Sequence, residues 1–189
     1  MLGILPDIAS YSRGARLLYL DGNSRTAMWL MINAIKTGSP YSENTAWCRT
    51  ALAEMLFNQG ALLPAEQTLS DVLKTTPNDA EALAAMGQFK AARRDYPAAI
   101  GFYKKSIATA PSMTSLIALG DLYQLTGAKA GAEQEYAQVE ALHKKNADAG
   151  VDDHMQMAAF DADHDRSLPE ALQLAEQSKD SLNVSDADT

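Results

Sequence analysis

Residues 82–111 read ALAAMGQFKAARRDYPAAIGFYKKSIATAP, and residues 115–142 read SLIALGDLYQLTGAKAGAEQEYAQVEAL. The two stretches share one order of residue types: a small residue, a turn, an alanine and a large apolar residue at matching offsets. Gly87 precedes Ala99 by 12 residues, and Gly120 precedes Ala132 by 12. The same offset recurs upstream, from Ala15 to Ala27 and from Ala53 to Ala65. Between these residues fall the turn positions Gly22, Gly60, Arg94 and Gly127, and four residues after each alanine stand Met31, Leu69, Tyr103 and Tyr136. Successive alanines are 38, 34 and 33 residues apart. A period of this size is one helix–turn–helix repeat, which cannot bury its apolar face alone and must stack on a neighbour.

The residue types suit that role. A small side chain on the first helix lets the second helix approach closely at its alanine. Glycine in the turn takes positive φ without steric cost and so closes the first helix. Pro77 and Pro111 end second helices, because proline cannot continue a helix interior, and Pro40 is expected to do the same for the first repeat. A fifth, drifted repeat is read from MQMAAFDADHDRSLPEALQLAEQS at residues 155–178, centred on Ala171, 39 residues after Ala132. There Asp161 stands at an aromatic position, Asp165 stands at the turn glycine, and the turn is one residue longer. Gly150 is the expected stop for the lengthened helix or loop before it. The repeats are expected at about 6–40, 44–77, 80–111, 113–146 and 151–180, with 181–189 a polar tail or truncated edge. That tail supplies no capping helix, so the array is expected to continue beyond Thr189 and the chain to be a fragment.

Composition agrees with an all-α class. The chain is 47% hydrophobic, rich in helix formers and poor in β-branched residues. The net charge of -8, with basic residues clustered only as the pairs Arg93-Arg94, Lys104-Lys105 and Lys144-Lys145, argues against a nucleic-acid partner. No apolar run approaches the length of a membrane span, so membrane insertion is not expected. Met1 to Pro6 do not read as a signal peptide; the chain is expected to be soluble, and its compartment stays open between the cytoplasm and, where a leader has been removed, the periplasm. The single cysteine, Cys48, excludes an internal disulfide framework.

On these residues the chain resembles the tetratricopeptide repeat (TPR) family. The fourth repeat matches its pattern through Leu116, Leu119, Gly120, Tyr123, Gly127, Ala132 and Tyr136. The second matches through Leu52, Ala53, Leu56, Gly60, Ala65, Leu69 and Pro77. The third departs at Lys90, where an aromatic is usual, and at Arg94. The resemblance implies an all-α right-handed α-solenoid of about five TPR-like repeats forming one domain over 1–189. It also implies a concave groove, lined by first helices, that holds a protein or peptide. The groove positions that it assigns include Ser12, Arg16 and Tyr19, then Trp47, Thr50, Glu54, Phe57 and Asn58, then Gln88, and finally Asp121 and Gln124. Trp47, Phe57 and Tyr19 are the apolar anchors among them, unless they pack against an adjacent repeat instead. Members that bind chaperone tails carry a Lys, Asn and Arg clamp. Here those places hold Ser12, Arg16, Thr50, Glu54, Ala84 and Gln88, so a chaperone C-terminus is not the expected ligand.

No phosphate loop, nucleophile elbow or zinc motif is present, and Cys48 reads as a small buried hydrophobe. Neither an enzyme nor a cofactor is expected. Met28, Met31, Met86, Met155 and Met157 read as core filler. An acidic-histidine patch runs through Asp152, Asp153, His154, Asp161, Asp163, His164 and Asp165. Asp161, Asp163 and Asp165 have the 1-3-5 spacing of a calcium loop, but Arg166 and Leu172 replace its glycine and its glutamate. A helix reaching His164 would hold the three apart, so the patch reads as a solvated helix end rather than a metal site. The expected function is that of an interaction scaffold or adaptor. The alternatives are a self-assembling, homo-oligomeric module and a regulatory or metal-responsive domain of a larger protein.

Overall fold

Each repeat predicted from the alanine spacing is a pair of helices in the computed structural model, which describes residues 7–38 and 43–187, with side chains to residue 177. The pairs are α1 (Ile8–Leu20) with α2 (Ser24–Thr37), α3 (Glu43–Asn58) with α4 (Leu62–Thr75), α5 (Ala80–Ala92) with α6 (Tyr96–Thr109), α7 (Met113–Leu125) with α8 (Lys129–Asp148), and α9 (His154–Asp163) with α10 (Leu168–Ala187). No strand occurs among the described residues. The helices group into two compact units, Met1–Ala110 with the first three pairs and Pro111–Thr189 with the last two. In the N-terminal unit α3 packs on α1 and on α5, while α2 meets α3 and α4 meets α5. In the C-terminal unit α7 packs on α8, and α9 on α10.

The turns explain the glycine pattern and its exceptions. In the first four pairs three residues join the helices, and the middle one is left-handed: Gly22 at φ 82°, Gly60 at 76°, Arg94 at 61° and Gly127 at 85°. The next N–H donates back to the carbonyl of the last helical turn, as from Asn23 to Leu18 at 2.8 Å, Ala61 to Leu56 at 2.9 Å, Asp95 to Lys90 at 2.9 Å and Ala128 to Tyr123 at 2.8 Å. The left-handed residue itself donates to the carbonyl three residues before it, as from Gly127 to Gln124 at 3.1 Å. These are Schellman closures, which satisfy carbonyls that the helix end leaves unpaired. Asp165 adopts φ 51° in the fifth pair and Gly150 adopts 71° after α8, and the Arg166 and Val151 N–H groups close those ends in the same way. The fifth turn is one residue longer, as the spacing predicts. Asp79, Asp95 and Ser112 then cap α5, α6 and α7 through their side chains.

The small, alanine and large positions form the core of the first four pairs. Ala15, Ala27, Ala53, Ala65 and Ala99 are fully buried, and Met31, Leu69, Tyr103, Ala132 and Tyr136 nearly so. The nearest neighbours of the small glycines are the large residues rather than the alanines. A Cβ on Gly87 would stand 3.0 Å from the Tyr103 ring, and one on Gly120 would stand 2.8 Å from Cδ1 of Tyr136 and closer still to its Cε1. Ala158 and Ala171 are the buried counterparts in the fifth pair. Cys48 is buried as expected, and burial pushes its thiol pKa up.

Several expectations are corrected. Residues 181–187 are not a tail but continue α10, because no glycine or proline after Pro169 stops the helix. Met155 is exposed, since it lies two residues, about 200° of helix rotation, from the buried Met157. Pro40 lies outside the described residues. Lys90 has a partner that explains its departure from the family pattern. Its Nζ pairs with Glu66 of α4 at 2.6 Å and sits 5.7 Å from the centre of the Phe89 ring.

Two stability outcomes follow from this packing. Gly120→Ala should lower stability by about 1–3 kcal/mol through overpacking against Tyr136. Gly101→Ala, with open space around its Cβ, should instead raise stability by about 0.5–1 kcal/mol through helix propensity. Urea titration of both variants checks the contrast. Arg94→Gly should relieve a left-handed conformation that costs an L-residue about 1–2 kcal/mol, and a rise in thermal midpoint is the expected readout.

Candidate functional site

The groove positions in the N-terminal unit are mostly consumed by packing. Trp47 and Tyr19 are partly buried against a cluster of Ala15, Ala27, Met31, Ala34, Cys48 and Met55. Asn58 donates to the Tyr19 hydroxyl at 2.8 Å. Phe57 lies edge-on to Phe89, with ring centres 6.3 Å apart. Glu54, Phe57 and Gln88 do come together, but the space they enclose with Phe89 is only about 10 Å³. Burial, and then the nearby Glu81 carboxylate, raises the Glu54 pKa. Thr50 faces inward, 3% exposed, and its hydroxyl has no hydrogen-bond partner. It therefore offers no contact to a guest, a correction to its place among the groove residues. Arg16 and Gln88 are exposed.

The C-terminal unit holds an open concavity of about 840 Å³. Its walls are the first helices of the two pairs: Thr114, Ile117, Ala118 and Leu125 from α7, and Gln156 and Ala159 from α9. Asp121 and Gln124, both assigned to the groove from the sequence, line it together with Glu133, Asp163, Asp165 and Arg166. The floor is aromatic. Tyr136, fixed there by its approach to Gly120, donates its hydroxyl to Asp121 Oδ1 at 2.8 Å and lies 3.0 Å from Gln124 Oε1. Phe160 lies against Tyr136 with ring centres 5.4 Å apart, and the His164 ring packs 4.7 Å from each of them.

The charges of this site are linked into a network. His164 Nε2 meets Asp121 Oδ1 at 2.7 Å and its Nδ1 meets the Phe160 carbonyl at 2.8 Å. Burial opposes protonation of His164, but Asp121, the Phe160 carbonyl and Asp163 outweigh it and raise the imidazole pKa above its ordinary value. Burial, followed by the hydrogen bond to Asp121, holds the Tyr136 phenol protonated far above its ordinary pKa. The Arg166 guanidinium lies 5.3 Å from the Tyr136 ring centre and 5.2 Å from that of Phe160. One of its terminal nitrogens pairs with Glu133 at 2.9 Å and the other with Glu140.

The 1-3-5 aspartates are not gathered. Asp161 is buried on α9, where burial raises its pKa, while Asp163 and Asp165 are exposed. Among the described residues no three His, Cys, Asp or Glu side chains come together as a metal site would require. Of the acidic-histidine patch, Asp163, His164 and Asp165 line the concavity instead. They share this role with Phe160 and Arg166, which the sequence reading did not single out. Those two lie in the drifted fifth repeat, where neither family position nor spacing marks them.

The fold recurs in solved structures. PilF of Pseudomonas aeruginosa is similar at a TM-score of 0.64 and 17% identity, over 89% of this chain and 73% of that one. The MamA structure is similar at 0.61 and 16%, over 75% and 81%. A chain of the APC/C hetero-tetramer Cut9–Hcn1 is similar at 0.65 and 16%, over 90% and 33%. These are TPR-type proteins. No family model matches the chain, and no curated protein matches it at a significant level.

The His164–Asp121 pair has a pH signature. Because the folded pKa of His164 is raised, its contribution to stability is complete below the ordinary imidazole value of about 6.5 and is lost as pH rises through the folded pKa. The thermal midpoint should therefore fall as pH rises from the ordinary imidazole value through the raised folded one, by an increment that His164→Gln removes. An unchanged slope in the variant would show that the pair adds nothing.

Proposed function

We propose that this chain, which has the TPR-type helical-repeat fold, is a protein-interaction scaffold that holds a partner segment in the concavity between α7 and α9. The observation that carries this reading is the concavity itself. It is open, about 840 Å³ in volume, and walled by exposed or half-exposed side chains over a floor that internal bonds hold rigid. Pre-organisation of this kind reduces the ordering that binding would otherwise require. Its aromatic floor and aliphatic side chains offer apolar contact, and the polar side chains that converge on them can fix the orientation of a guest. A structure of this fold is described in a hetero-tetramer, which supports a protein as the partner. In the N-terminal unit the exposed Arg16, Glu54 and Gln88 are positions open to polar contact.

A second reading, self-association, is favoured by apolar side chains that the first helix pair leaves exposed. Leu17 is 69%, Leu20 75% and Trp29 58% exposed. No helix among the described residues is long and apolar enough to cross a membrane, so these side chains do not mark a span.

One experiment separates the two. A photo-crosslinking amino acid placed at Thr114 or Gln156, in cells that make the protein, should give an adduct with another protein. The same residue at Gln134, exposed on α8 outside the concavity, should not. Adducts that contain only a second copy of the chain, with the strongest yield from position 29, would replace the scaffold reading by self-association. Equal yields from Thr114 and Gln134 would reject the concavity as the docking site.

A further inference from the structure

Charge is divided unequally along the chain. Residues 111–189 hold 15 Asp and Glu against five Lys and Arg, whereas residues 1–110 hold nine against eleven. The concavity lies wholly within the acidic part, and its own groups sharpen the imbalance. Among the described residues that line it, the cationic candidates are His164 and Arg166, and both are engaged. His164 is committed to Asp121, and Arg166 places one terminal nitrogen on Glu133 and the other on Glu140. The carboxylates are less occupied. Asp121, which lines the concavity, receives both its bonds on Oδ1, and half of its side chain is exposed. Asp163 and Asp165 stand exposed at the same end. Ile117 and Leu125 provide aliphatic surface in the same concavity.

From this we infer that the concavity selects a basic segment of a partner protein, seating an aliphatic side chain against Ile117 and Leu125 and a lysine or arginine on Asp121, Asp163 and Asp165. The inference rests on the reading of the concavity as a docking site and adds the chemistry of the guest. An acidic guest would meet three carboxylates and would have to break the Arg166 pairs to find a cation, so like-charge repulsion excludes it. A basic guest needs no rearrangement. It is also drawn in by the field of the whole acidic unit, which raises its rate of encounter at low salt.

The test uses the full chain and three fluorescein-labelled, amidated peptides of ten residues in which leucine alternates with lysine, glutamine or glutamate. Fluorescence anisotropy at low salt should show the lysine peptide binding most tightly. Asp163→Asn combined with Asp165→Asn should weaken it roughly three- to tenfold, the range expected for removing two exposed charge pairs. Asp148→Asn combined with Glu176→Gln removes the same charge from exposed positions of the same unit outside the concavity, and should change affinity less than twofold. Equal losses in the two double variants would overturn the inference, by showing attraction to the acidic unit at large. Preference for the glutamine or glutamate peptide, abolished by bulky substitution at Ile117, would overturn the charge selection while leaving the docking site intact. Binding of none of the three would remove both.

Discussion

In each of the third and fourth helix pairs, a tyrosine ring lies directly on a residue that has no side chain. Tyr103 covers Gly87, and Tyr136 covers Gly120. The ring needs the space that a Cβ would take, and the helices need the ring to fill the gap between them. The neighbouring alanines, Ala99 and Ala132, complete the contact and are almost wholly buried. Alanine with methionine, or alanine with leucine, makes the equivalent contact in the first two pairs, with smaller inserts and no glycine. Everything else in a pair is arranged to bring these residues together. The left-handed turn sets the direction of return, and the caps end each helix where the next begins.

That constraint explains what the sequence disclosed. Periodic small and large residues reveal the pairs because close packing admits few residue types at those places. The turns were legible even where glycine is missing. Arg94 and Asp165 were identified by offset alone, and both adopt the left-handed backbone. The end of the chain was harder to read. The polarity of residues 181–187 suggested a tail, yet polarity does not end a helix in the absence of a breaker, and α10 runs on through them.

The groove was only partly legible, for a different reason. Family position indicates which helix face a residue occupies, but not whether a neighbouring side chain covers it. Trp47, Tyr19 and Phe57 occupy the assigned face and are nonetheless drawn into packing, and Thr50 is enclosed. Asp121 and Gln124 keep their place because the small side chains opposite them, such as Ala159, leave the space open. His164, Phe160 and Arg166 reach the site from a repeat whose pattern has drifted. Nothing in a linear period foretells that His164, 43 residues from Asp121, will share that carboxylate oxygen with Tyr136.

Tyr136 belongs to both structures at once, as the ring that closes α7 onto α8 and as the floor of the concavity. This joint use limits how such a protein can diverge. A change at position 136 that altered the guest would also loosen the helix pair, so variation there is strongly opposed. Thr114, Ile117, Gln156 and Ala159 carry no such double duty. They border the opening and hold no helix in place through a hydrogen bond. Related chains would therefore be expected to acquire new guests by exchanging wall residues over an unchanging floor, keeping one architecture while redistributing what it recognises.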